Sequence, residues 1–330
     1  MWSAVPAVTD VDSEHGPSPP FVSIVVPVRN GERTVEDCIV SLLRMDYPSD
    51  RREILVVDNG SRDGTVRIIR RHPVTCLSEI RRGPAPARNR GIEASHGEII
   101  AFTDADCVVE PSWLSELVRG FSENSVSAVA GEVIAYPPRT RPERYMALKR
   151  PCWQKAALAS DRPYIVTANV AFRRHTFERI GLFDPRFLTG EDQDFGWRFF
   201  RAGLGLRYCA AAVVRHRHRE TCWTFLRQQM AWASGAASLR AHYDLPRGAR
   251  RELSQFRALG VAAIRLVSAV ARRTVGGEGT EISHALFDVL REAARGVGRL
   301  HFALQTSSSR LSLVRARSEP RDVPGRRESG

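Results

Sequence analysis

The chain is expected to fold as an α/β protein with a mostly parallel central sheet flanked by helices, and three observations support this. Uninterrupted apolar, largely β-branched runs at residues 21–26, 53–57 and 98–102 have the look of strands covered on both faces. Segments of helical periodicity separate them, the pattern of right-handed crossover units. The third run leads straight into Asp104-Ala105-Asp106, and open α/β sheets bind ligands at the carboxyl ends of their strands.

The first run, Phe21-Val22-Ser23-Ile24-Val25-Val26, is ended by Pro27. From Thr34 the residues Val35, Cys38, Ile39, Leu42 and Leu43 recur at helical spacing, with Thr34 as cap and Asp37 as its reciprocal partner; this helix should stop before Pro48. The second strand runs into Asp58-Asn59-Gly60-Ser61-Arg62-Asp63-Gly64-Thr65 and another amphipathic helix. A carboxylate at such a strand tip can accept hydrogen bonds from a base or ribose, whereas an ordinary Asn-Gly turn explains the glycines alone. Hard oxygens at Asp104 and Asp106 suit Mg²⁺ or Mn²⁺, although Asp-rich turns follow many strands. A strand at 128–134 ends in the proline-rich loop 136–142, beyond which Tyr145 and Trp153 either stack on a ligand or pad a helix against the sheet. The acidic stretch Gly190-Glu191-Asp192-Gln193-Asp194 opens a helix that ends near Gly203.

Val25-Val26-Pro27-Val28-Arg29-Asn30-Gly31-Glu32, the Asp58 segment, Ala87-Arg88-Asn89-Arg90-Gly91 and Asp104-Ala105-Asp106 together resemble, in order and spacing, the nucleotide-sugar half of family 2 glycosyltransferases. Thr167-Ala168-Asn169, Gly181-Leu182-Phe183-Asp184, the Glu191-Asp192 block and Val213-Val214-Arg215-His216 extend the resemblance over roughly residues 21 to 235. Gln228-Gln229-Met230-Ala231-Trp232 is similar to a motif of processive polysaccharide synthases, but Ala231 stands where they carry Arg, which argues for transfer of one sugar.

The resemblance implies a GT-A type, Rossmann-like sheet and a metal-dependent transfer from a nucleotide sugar, a UDP-sugar being favoured. It makes Asp106 a ligand of Mn²⁺ or Mg²⁺, and places Asp104 on the ribose or the metal's water shell and Asp58 on the base. Pro27, Arg29, Asn30 and Glu32 join the donor site, with Arg88 near the diphosphate. His216 is either a further metal ligand or a partly exposed histidine of the basic run 215–219. Asp192 is the implied general base, its pKa lowered by the helix dipole and raised by burial beside Phe195 and Trp197; Glu191 orients it or the acceptor. Asn169 and Trp232 are implied acceptor contacts. The expected outcome is inversion, with retention the minority alternative. A sugar-1-phosphate nucleotidyltransferase would need a Gly-rich loop after the first strand, where this chain has a single glycine, Gly31. A relic fold that only binds membrane or nucleic acid would have lost the carboxylates.

The 330 residues carry a formal net charge of +12, which favours acidic partners. Arginine is spread along the chain; an anionic membrane surface is a candidate partner and nucleic acid is not expected. The acceptor is a glycan, a lipid-linked intermediate or a small molecule. Six scattered cysteines without Cys-x-x-Cys spacing indicate neither zinc nor disulfides and fit a reducing cytoplasm. No segment reaches the roughly twenty apolar residues of a membrane span. Residues 1–20 are expected to be a disordered leader, 21–245 the catalytic domain (21–135 for the donor, 136–245 for the acceptor), 246–303 a helical extension and 304–330 a disordered basic tail. In the extension, 258–271 and 285–300 form helices that pack on the catalytic domain or, flanked by Arg250, Arg251, Arg272 and Arg273, lie on the cytoplasmic membrane face.

Overall fold

The computed structural model describes residues 18–150, 152–245, 258, 260–270 and 279–318. Its eight strands are β1 (Val22–Val28), β2 (Arg52–Asp58), β3 (Thr75–Ser78), β4 (Ile99–Thr103), β5 (Cys107–Val109), β6 (Val126–Ala135), β7 (Asn169–Arg173) and β8 (Gly205–His216). They form one sheet in the order β3-β2-β1-β4-β7-β6-β8-β5. The strands from β3 to β4 pair in parallel, as do β6 and β8, while β7 lies antiparallel between β4 and β6, and β5 antiparallel on β8. The first strand runs through Pro27 instead of stopping at it. Its ladder to β4 ends at Val25, so on that side the missing N–H of Pro27 leaves no rung unmade.

Helices cover both faces: α1 (Val35–Leu43), α2 (Thr65–Ile69), α3 (Pro84–Ala94), α4 (Trp113–Arg119), α5 (Arg141–Lys149), α6 (Gln154–Leu158), α7 (His175–Ile180), α8 (Glu191–Arg201) and α9 (Cys222–His242). Helix α1 starts where expected but without the capping box. Thr34 Oγ1 donates to the Gly31 carbonyl, and Asp37 pairs with Arg217. One core packs α1 and α4 against the sheet; the other is an aromatic cluster in which Phe102 of β4, Phe172 of β7, Phe183 and Phe195 of α8 are all within 6.0 Å of a neighbouring ring. That cluster holds the start of α8 near the end of β4.

Two further helices follow, α10 (260–270) and α11 (Gly279–Ser318). Helix α11 packs on the catalytic domain: Phe287 stacks on Tyr145 beside Phe225, and Asp288 accepts from Tyr145 at 2.6 Å and pairs with Lys149 at 2.8 Å. Tyr145 is therefore padding, fully buried and out of reach of a sugar. The predicted disordered tail is corrected over 304–318, which is helical; neither Gly nor Pro interrupts the chain there until Pro320. The rest of that tail, residues 1–17, Arg250, Arg251, Arg272 and Arg273 lie outside the described residues. Among the described residues no helix is long and apolar enough to cross a membrane. On α10, Val261, Ile264, Val267 and Val270 are exposed at helical spacing.

Candidate active site

A cavity of about 2280 Å³ opens at the carboxyl ends of β1 and β4, where the strand order reverses. Small-molecule sites usually have roughly 300–1,000 Å³, so this one has room for two substrates. Pro27, Arg29 and Asn30 line it from the β1 loop, and Asp104 and Asp106 from the β4 loop. Arg88 of α3, Glu191 and Asp192 of α8, His216 of β8 and Trp232 of α9 complete the predicted residues that it gathers.

Strand pairing brings His216 to Asp106. The antiparallel β5–β8 ladder sets Cys107 opposite His216, and the Arg217 N–H donates to the Asp106 carbonyl at 2.9 Å. His216 Nε2 stands 3.4 Å from Asp106 Oδ1, with Arg219 Nη1 3.7 Å from Oδ2. His216 is buried, which excludes the surface-histidine alternative, and its Nδ1 has no hydrogen-bond partner among the described residues. Asp106, Cys107 and His216 offer ligand atoms within 4.8 Å of one another. Burial, then the charges of Asp106 and Asp104, push the Cys107 thiol well above its ordinary pKa, and a soft sulfur is a poor match for a hard ion. A carboxylate and an imidazole are suitable donors for Mn²⁺ or Mg²⁺.

A second cluster surrounds Arg88, which is 3% exposed. Its Nη1 donates to Glu191 Oε1 at 2.6 Å and its Nη2 to Asp104 Oδ1 at 2.9 Å. The predicted diphosphate cation is thus neutralised by two carboxylates and joins the end of β4 to the start of α8. Gly190 (φ +88°) makes the turn into α8, and a Cβ there would be 2.6 Å from Leu239 of α9. Burial raises the pKa of Glu191, opposed by Arg88. Asp192 is pushed up to about 7, first by burial and then by the charge of Glu191, while Arg88 and the Gln193 N–H at 2.8 Å pull it down. Of the two opposing influences expected on Asp192, burial wins over the helix terminus.

Three predicted site residues lie elsewhere. Asp58 ends β2 but is drawn into its own turn, accepting from the Ser61 N–H at 3.2 Å; its neighbour Asn59 lines the cavity instead. Glu32 does not line the cavity: its N–H donates to Asp63 Oδ2, and its carboxylate is 3.8 Å from Arg67. Asn169 is fully buried in β7, where it accepts from Trp113 Nε1 at 2.7 Å and donates to the carbonyls of Glu132 and Ala212 at 2.7 and 2.8 Å. Asn169→Ala strands three buried polar groups and should lower stability by about 3–5 kcal/mol in urea unfolding. Sequence reasoning gave no role to Arg219, Gln228 (whose buried Oε1 has no hydrogen-bond partner among the described residues), Arg295 and Arg299, all lining the cavity. For Arg219 the proximity to His216 was a signal, and for Gln228 its place in the synthase-like motif 228–232.

The family model of Glycosyl transferase family 2 matches residues 23–181. Glycosyltransferase AglE of Haloferax volcanii is 33% identical over 208 residues, which are 61% of this chain and 68% of that protein. The chain belongs to glycosyl transferase family 2. Another family 2 relative, the pre-mycofactocin glycosyltransferase of Mycobacterium tuberculosis, is 30% identical over 240 residues, 68% of this chain; the match spans about half of that protein, 48%. The mannosyltransferase PcManGT of Pyrobaculum calidifontis, solved with GDP-Man and Mn²⁺, shares the fold with a TM-score of 0.59 at 23% identity, over 86% of this chain and 87% of that one. Glucosyl-3-phosphoglycerate synthase of Mycobacterium tuberculosis, solved with Mn²⁺, UDP and glucosyl-3-phosphoglycerate, has a TM-score of 0.50 at 21% identity, over 69% and 81%. This family 2 transferase accordingly has the GT-A architecture.

Proposed function

We propose that this glycosyltransferase moves one sugar from a nucleoside-diphosphate sugar, a UDP-sugar first among the candidates, to an acceptor hydroxyl with inversion. The observation that carries the reading is the convergence on one cavity of the Asp106–His216 pair and of Asp192, whose pKa is suited to taking a proton at neutral pH. Asp106 and His216 would hold Mn²⁺ or Mg²⁺, which when bound neutralises charge on the departing diphosphate. Asp104, held by Arg88, faces the donor from the same loop. Asp192 takes the acceptor's proton as its oxygen bonds to the anomeric carbon and the bond to the diphosphate breaks. Glu191 and Arg88 keep Asp192 in place, and Trp232 offers an aromatic wall to the acceptor. The Mn²⁺-bound donor complexes of similar fold support a metal-dependent donor site. The exposed apolar residues of α10 and the net charge of +12 support attachment to an anionic membrane on the cytoplasmic side.

Calorimetry with UDP-, GDP- and TDP-sugars tests the donor site. One donor should bind with Mn²⁺ and not with chelator, and Asp106→Ala should lose that binding at least about a hundredfold, as removal of a first ligand does. Metal-independent binding, or undiminished binding by the variant, contradicts the assignment.

A further inference from the structure

The same cavity is also lined by residues of α9 and α11. The backbone of α11 lies close against α9: a Cβ on Gly298 would be 2.2 Å from the Met230 carbonyl oxygen. Arg295, Arg299, Phe302 and Thr306, at helical positions i, i+4, i+7 and i+11, all line the cavity. Val297, Leu300 and Leu304, on the other side of the helix, are exposed. Among the described residues the carboxylate paired with Arg295 is that of Glu292, at 3.5 Å and shared with Arg291 at 3.0 Å. Arg299 makes no hydrogen bond or ion pair among the described residues. Burial lowers both guanidinium pKa values, that of Arg295 further through the charges of Arg291 and Arg299, while the Glu292 carboxylate opposes the shift at each.

Two neighbouring, under-neutralised guanidinium groups turned into a cavity are an unfavourable arrangement until an anion arrives. A carboxylate offers two oxygens and is satisfied by one fork. A phosphate group, with more oxygens and a charge near −2, can accept from both. We propose that Arg295 and Arg299 bind a phosphate group of the acceptor, so that the substrate glycosylated here is a phosphorylated compound. This rests on the donor reading above and names the class of its second substrate.

The probe is phenyl phosphate, titrated into protein saturated with Mn²⁺ and the nucleoside diphosphate that binds, so that the donor's own phosphate site is occupied. Wild type should bind it, and Arg295→Gln/Arg299→Gln at least about tenfold more weakly, the loss of charge-assisted hydrogen bonds. Nucleotide affinity should stay within about twofold, since no predicted donor residue lies on α11. Phenyl glucoside, without a phosphate, should not bind. If the double variant fails to fold, Arg299→Gln, at a side chain without a hydrogen bond or ion pair among the described residues, carries the comparison, with Arg299→Lys restoring part of the affinity. No binding by wild type, or equal binding by the variants, overturns the proposal. If no nucleotide binds with Mn²⁺, the donor reading fails, and the phosphate comparison is made on the empty protein with the same criteria. Vesicles of phosphatidylcholine with and without phosphatidic acid distinguish two sources. Arginine-dependent capture only with phosphatidic acid supports a lipid acceptor, and phenyl phosphate binding without capture supports a soluble one.

Discussion

Asp192→Asn should lower kcat by about 10²–10⁴-fold, the usual loss when a general base is removed, while donor affinity changes less than about threefold. The amide keeps the shape of the carboxylate but cannot take a proton. In wild type, kcat/KM should rise with pH through about 7 and level off above it, because only the ionised carboxylate is a base and burial beside Glu191 raises its pKa to that value. Asn at this position should remove that step from the residual rate. A variant turning over at the wild-type rate contradicts the assignment of the base. Stability should move the opposite way. A folded pKa near 7, above the ordinary 3.8, means that the fold holds the proton more tightly than the unfolded chain. The stabilisation from that proton is complete below the ordinary value and is lost as pH rises to about 7. The Asn variant should therefore melt higher than wild type at pH 8, and the difference should shrink towards pH 4. Thermal unfolding at the two pH values reads it.

Arg88→Leu should destabilise the fold by about 3–5 kcal/mol at pH 8, the size expected when one member of a buried ion pair is removed. Glu191, 6% exposed, would stand next to Asp192 with no cation, and Asp104 would lose its partner. Loss of Arg88 leaves burial free to raise the Glu191 pKa further, so the protonated form is favoured in the fold and the stabilisation it gives is lost as pH rises. The destabilisation should therefore be smaller at pH 5 than at pH 8. Glu191→Gln added to Arg88→Leu should recover part of the loss, and a double-mutant cycle from urea unfolding gives the coupling. A loss below about 1 kcal/mol at pH 8 would mean that the guanidinium is dispensable for the fold.

The sheet was legible because strands covered on both faces leave continuous apolar runs, and Glu98-Ile99-Ile100-Ala101-Phe102 can hardly be anything else. Asp104, Asp106 and Asp192 stood out through the motifs around them, since acids after strands and in first helical turns are common for structural reasons alone. Asn169 deceived because a buried amide with three good partners is as constrained as a ligand-binding one, and a sequence does not distinguish them. Asp58 and Glu32 are engaged locally, the first by the Ser61 N–H and the second by Arg67 and its own loop, contacts that a sequence does not announce. The pairing of Arg88 with Glu191 joins residues 103 positions apart, and no local pattern announces it. Arg295 and Arg299 lie on a helix beyond the region of resemblance, and their relevance depends on where α11 comes to rest.

The strand β7 also bears on how such enzymes can be cut and recombined. It belongs to the stretch 136–245 expected from the sequence to serve the acceptor, yet it lies between β4 and β6 near the middle of the sheet, pairing Ile99 to Thr103 on one side. A fragment ending in the loop before α5 would leave that side of β4 as an open apolar edge, a template for aggregation. Chimeras that exchange donor and acceptor halves at this loop would have to rebuild every rung between β4 and a foreign β7, so specificity in this architecture is more readily altered by grafting loops and helices at the rim than by swapping modules.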